Sequence, residues 1–155
     1  MRVAILSDIH GNRHALQSVL SAVDAISVDQ TWCLGDVVGY GADPDACCAL
    51  MRERADVCLA GNHDLAVTGE IPTDEFARGA AVAAEWTRET IDPGHLEWLQ
   101  TLRPSADVEG VALYHGSPRE PIWEYVLDPL SATISMDVQS ERVACIGHSH
   151  VALSY

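Results

Sequence analysis

Five short polar clusters recur along the chain: Asp8-Ile9-His10, Gly35-Asp36, Gly61-Asn62-His63-Asp64, His115-Gly116 and Gly147-His148-Ser149-His150. Each follows an apolar stretch. Taken singly, a strand-end aspartate or histidine is more often a cap or a turn residue than a functional group. Five in the same position relative to five apolar runs ask for a common cause. Asp-x-His and His-x-His can aim both side chains to one side where strand alternation relaxes into a loop, a spacing that suits metal ligation. Glycine beside each cluster lets the backbone turn tightly and approach an ion closely. A carboxylate such as Asp36 can bridge two cations through its two oxygens, and an asparagine carbonyl offers a neutral oxygen ligand.

The elements that must position these residues follow from the apolar periodicity. Arg2–Ser7 reads as a buried strand, and Leu16, Val19, Leu20 and Val23 then recur at helical spacing. Thr31–Leu34 is a second strand, ending in Gly35-Asp36. Asp43-Pro44 reads as an N-cap with proline at the first helical position, opening a helix over Pro44–Arg54. Asp56–Ala60 is a third strand, stopped by the turn Gly61-Asn62-His63-Asp64. This β-α-β-α-β order predicts a parallel sheet covered by helices, with ligand sites at the carboxyl ends of the strands, where the clusters fall. Pro72–Leu102 is alanine-rich and predicts two helices separated around Asp92-Pro93-Gly94; its tryptophans are assigned to core or cap. Val108 and Val111–Tyr114 around Glu109-Gly110, with Arg142–Ile146, predict a second β region.

Composition narrows the function. With 155 residues, the chain has room for one domain, 1–155, and one active site. Its apolar share of 48% is too high for a disordered chain. Without an apolar run of membrane-spanning length or a secretory h-region, the expected location is the cytoplasm, with no membrane partner. The five cysteines are odd in number and show no C-x-x-C spacing, which suits buried thiols. All nine basic residues are arginine, excluding a P-loop lysine or a Schiff base. A net charge of −14 argues against broad nonspecific nucleic-acid binding. A phosphate substrate would need local positive charge, which bound metal ions can supply.

With the clusters in order over nearly the whole chain, the sequence resembles the calcineurin-like metallophosphoesterase superfamily. Gly35–Asp45, with Asp-Val-Val-Gly-Tyr-Gly, and His115–Tyr125, with Gly-Ser-Pro-Arg and Trp-Glu-Tyr, resemble a prokaryotic subgroup generally described as predicted phosphodiesterases. The resemblance implies an α/β fold, a four-layer α-β-β-α sandwich of two mixed sheets. It implies one metal held by Asp8, His10, Asp36 and His150, and a second by Asp36, Asn62, His115 and His148, with Asp36 as the bridge. Mixed imidazole and carboxylate ligands favour manganese, iron or zinc over magnesium. The implied activity is two-metal-dependent hydrolysis of a small phosphate ester, as phosphodiesterase or phosphatase, with a metal-bridging hydroxide attacking phosphorus in line. His63 resembles the family's non-ligand catalytic histidine, with Asp64 orienting its ring. Asn12, Tyr40 and Arg119 are candidate substrate contacts. Trp123 and Tyr125 read as packing residues, with stacking on an aromatic leaving group as the alternative. His14 and His95 read as surface residues.

The sequence departs from the family pattern at one point. Further strands normally follow the Gly-His-x-His loop, whereas Val151–Tyr155 are all that remain here. The second sheet is therefore expected to lack its last C-terminal strands and to present an open edge that promotes self-association. Two other functional classes stay open. One is a protein-interaction scaffold on the same fold, metal-binding or metal-free. The other is a helical phosphohydrolase, whose His-Asp pair His63-Asp64 imitates; that pair belongs on a helix, and here it follows a strand and two turn residues.

Overall fold

The computed structural model describes residues Met1–Tyr155. Its first half is the expected alternation of β1 (Val3–Leu6), α1 (Arg13–Ile26), β2 (Gln30–Cys33), α2 (Pro44–Arg54) and β3 (Val57–Cys58), to which a short helix α3 (Asn62–Thr68) is added. Strands β1, β2 and β3 lie side by side in that order and all parallel, Ala4 opposite Thr31 and Cys33 opposite Cys58. Parallel neighbours need crossovers, which α1 and α2 supply. Asn12 caps α1 by accepting a hydrogen bond from the Ala15 amide at 3.1 Å. Helix α2 begins at Pro44 as the sequence predicts, although Asp43 makes no side-chain cap bond.

Helices α4 (Arg78–Thr90) and α5 (Pro93–Leu99) follow, separated around Asp92-Pro93-Gly94 as predicted. The hairpin β4 (Ser105–Val108) and β5 (Val111–Tyr114) comes next, then α6 (Pro129–Met136) and β6 (Val143–Ile146). The second sheet has the order β4-β5-β6, antiparallel in the hairpin and parallel between β5 and β6.

Two apolar layers hold this together. Leu6 and Cys33 of the first sheet pack with Leu16 and Leu20 of α1, Cys48 and Met51 of α2, Val67 of α3 and Leu99 of α5. On the other side, Trp32, Leu34 and Leu59 meet Leu113 of the second sheet. Beyond that sheet, Ala132 and Ser135 of α6 share a groove with Ala144 and Ile146 of β6. Helices, sheet, sheet and helix thus make the four-layer sandwich.

The structure corrects four sequence expectations. The first sheet is wholly parallel, so only the second is mixed. Strand β3 keeps two residues of the expected five, because the chain leaves the ladder once the Ala60 amide turns to donate to the Arg103 carbonyl. Gly61-Asn62-His63-Asp64 opens α3 and is not a turn. Finally, α6 was not foreseen, although Asp128-Pro129 carries the same cap-and-proline signal as Asp43-Pro44. The outer edge of β6 has no strand partner, and no helix is long and apolar enough to cross a membrane.

Candidate metal centre

The five clusters converge at the carboxyl ends of their strands. Asp8 and His10 leave β1, Asp36 follows β2, and Asn62 and His63 form the first turn of α3 behind β3. His115 follows β5, and His148 and His150 follow β6. In a strand, successive side chains point to opposite faces and those two apart share one, the spacing of Asp8 with His10 and of His148 with His150. Here Asp8, His10, Asp36, His148 and His150 adopt φ values of 50° to 65°, the left-handed region that non-glycine residues rarely enter. That backbone twist aims their side chains into one space.

Asp36 sits at the middle. Its Oδ2 lies 3.6 Å from His10 Nε2 and 3.5 Å from His115 Nε2, while its Oδ1 accepts from the His63 amide at 2.9 Å. Asp8 Oδ1 lies 3.3 Å from His150 Nε2. Three overlapping groups have ligand atoms within 4.8 Å of one another: Asp8, His10 and His150; His10, Asp36 and His63; Asp36, His115 and His148. The seven residues expected as ligands thus surround one space, and His63 borders it.

Hydrogen bonds from outside set the tautomers. His10 Nδ1 donates to the Val38 carbonyl at 3.2 Å, and His115 Nδ1 to the Leu34 carbonyl at 2.8 Å. Each neutral ring therefore turns an unprotonated Nε2 inward, the usual outer support of a metal-bound histidine. His115 Nε2 then faces Asn62 Oδ1 at 3.0 Å, and His10 Nε2 faces His150 Nε2 at 3.1 Å. With its Nε2 unprotonated, His115 presses an electron pair against the Asn62 carbonyl oxygen, a contact that a shared cation reconciles. Asp8 Oδ1 and His148 Nε2 are buried without a hydrogen-bond partner, which a metal would also satisfy.

The electrostatics agree. Burial pushes the His10 imidazole down to about 4, against the opposing pull of its Val38 hydrogen bond and of Asp8. Burial takes His148 to about 4 and His63 to about 3, and also lowers His115. These rings are neutral at pH 7 and free to ligate. Burial, then Asp64 and Asp8, hold the Asp36 carboxyl well above the usual carboxylate range. No arginine lines the cleft to offset an ionised Asp36, so a divalent cation is the fitting partner for its charge.

Asp64 works differently from expectation. In place of contact with the His63 ring, its carboxylate accepts the amides of Gly61 (2.9 Å), Val38 (3.0 Å) and Val37 (3.3 Å). Adjacent residues of a helix face different ways, so His63 points to the cleft while Asp64 ties α3 to the Asp36 loop. His63 Nδ1 is left buried with no partner. Tyr40 lines the same cleft. Asn12 spends its side chain on the α1 cap, and Arg119 pairs with Glu124 at 2.9 Å outside the cleft. His95 Nδ1 lies 2.8 Å from Asp45 Oδ1, and neither residue lines the cleft.

Three contributors were not among the candidate site residues. A Cβ on Gly61 would sit 2.0 Å from Asp36 Oδ1, and one on Gly39 2.4 Å from His63 Nδ1. Both glycines were visible in the motifs, but what they make room for is a tertiary fact. Phe76, which packs edge-on to His63 with centroids 4.9 Å apart, had no motif to signal it.

Comparison with known proteins accords with this geometry. The model of the calcineurin-like phosphoesterase superfamily domain matches residues 1–154, and the chain belongs to that superfamily. An uncharacterized protein of Methanocaldococcus jannaschii is 34% identical over 154 residues, covering 96% of this chain and 62% of its own length. The crystal structure of a metallophosphoesterase from Sphaerobacter thermophilus superposes with a TM-score of 0.85 at 40% identity, covering 97% of this chain and 61% of that one. A hypothetical protein from Pyrococcus horikoshii shares the fold, with a TM-score of 0.81 at 19% identity over 94% of this chain and 68% of that one. The chain thus spans about three fifths of the length of the first two.

Proposed function

We propose that this protein hydrolyses phosphate esters, as a phosphodiesterase or phosphatase, at a two-metal centre. Asp8, His10, Asp36 and His150 would hold one ion, and Asn62, His115 and His148, with Asp36 shared, the other. The observation that carries the reading is Asp36 Oδ2, set almost equally between the inward Nε2 atoms of His10 and His115. Manganese, iron or zinc suits this mixed donor set. Bound divalent ions supply Lewis acidity and an activated water.

The protein's own groups do the rest. The second oxygen of Asp36, held by the His63 amide, keeps the shared carboxylate from swinging. His63 is neutral and borders the cleft, so its ring N–H can donate to a phosphoryl oxygen, and an adjacent anion would favour its protonated form and equip it to protonate a departing alkoxide. Elemental analysis of manganese-loaded protein should approach two metals per chain, and chelation should abolish p-nitrophenyl ester hydrolysis until manganese is restored. A folded protein that binds no metal would instead be a scaffold on this fold.

A further inference from the structure

The cleft over the metal centre encloses about 350 Å³, and two features of its wall bear on what it admits. The first is a run of rings. Tyr40 packs against His10 and His63, with centroids 4.7 and 4.5 Å apart. Phe76 meets His63 on one side and Trp123 on the other, at 4.9 and 5.2 Å. Tyr125 stacks on His148 at 4.1 Å with planes 18° apart. Tyr40 and Tyr125 remain 55% and 54% exposed, so each keeps ring surface open to a ligand. Exposed aromatic surface at a polar cleft binds flat groups well, because any π-face can stack on it.

The second feature is charge. No arginine lines the cleft, and the chain has no lysine. Arg119, the nearest candidate by sequence, is committed to Glu124. The charged side chain that the wall does offer away from the ligands is Glu75, exposed at the rim. A phosphate monoester carries a second negative charge, which this wall leaves unpaired and Glu75 repels. A diester carries one, which the metals alone can neutralise.

Resting on the hydrolase reading above, we infer that the cleft selects singly charged phosphodiesters bearing a flat aromatic group, an aryl ring or a nucleobase, over phosphate monoesters. Tyr125, Trp123 and Tyr40 supply the stacking surface, and Glu75 at the rim adds to the selection against a second charge.

The test uses the manganese-loaded chain. Diphenylphosphinate and dimethylphosphinate are both monoanions with phosphorus–carbon bonds that hydrolysis leaves intact, so calorimetry can compare their binding without turnover. Diphenylphosphinate should bind about tenfold tighter or more, the range of one stacked ring. Tyr125→Leu should weaken diphenylphosphinate and spare dimethylphosphinate at unchanged metal content, a split that general disruption of the site would not give. In kinetics, kcat/KM for bis(p-nitrophenyl) phosphate should exceed that for p-nitrophenyl phosphate. Glu75→Gln should narrow that ratio by up to about fivefold, as expected for one exposed charge. Equal phosphinate affinities, or faster cleavage of the monoester, would overturn the inference and leave the hydrolase reading standing. Loaded protein that cuts neither ester would sink the hydrolase reading itself.

Discussion

The sharpest question at the residue scale is whether His63 ligates or catalyses, because its ring nitrogen lies within 4.8 Å of His10 and Asp36 ligand atoms. Four ligands for each ion are available without it, so His63→Ala should keep its metal while the rate falls about a hundredfold or more. Alkyl leaving groups need a proton more than p-nitrophenolate does, so an acid role predicts a larger loss on alkyl esters. Equal losses would point to stabilisation of the phosphoryl oxygens. Loss of one metal in the variant would make His63 a ligand. Gly39→Ala asks the same question from behind: the new Cβ would meet the His63 ring and the φ of 89° suits glycine. It should reproduce the rate loss of His63→Ala with both metals still bound, as elemental analysis would read.

At the scale of elements, α3 is the part that sequence reasoning understood least. Gly-Asn-His-Asp has turn composition, and seven helical residues are too few for periodicity to show. What makes it a helix is in part local, Asp64 reaching back to the Gly61 amide, and in part tertiary, Arg88 of α4 donating to the Ala66 and Val67 carbonyls at its far end. Arg88→Ala should therefore lower stability by about 1–3 kcal/mol, the range for hydrogen bonds from a charged donor. It should cut turnover as well, since α3 carries Asn62 and His63; a variant with unchanged melting and turnover would show that α3 holds without it. The strands were easier. Their apolar runs and the polar clusters at their ends announced both sheets, because a strand end needs no partner to be recognised, whereas the choice of seven ligands within those clusters rested on the family resemblance. The β6 edge was expected as well, and no strand pairs with its outer side. Concentration-dependent association should follow, and Val143→Lys, at a position 52% exposed, should reduce it in light scattering. A monomer at all concentrations would show the edge already protected.

For the molecule as a whole, metal binding and folding should be linked, because ligands from β1, β2, α3, β5 and β6 meet only in the folded chain. Each site filled at a hundredfold its Kd adds about 2.7 kcal/mol, which for a chain of this size raises Tm by roughly 5–10 °C. A chelator titration followed by thermal melting would show no shift if the centre were not built as described. The left-handed backbone at Asp8, His10, Asp36, His148 and His150 has an evolutionary consequence. Each residue held there strains the resting fold, a cost that bound metal would offset. A lineage that ceased to bind metal would keep the strain without the offset, and would drift toward glycine or asparagine at these five positions, regaining stability only after activity was lost. A relative with glycine at those sites would then be a retired enzyme whose ancestry is still legible in the bend of its chain.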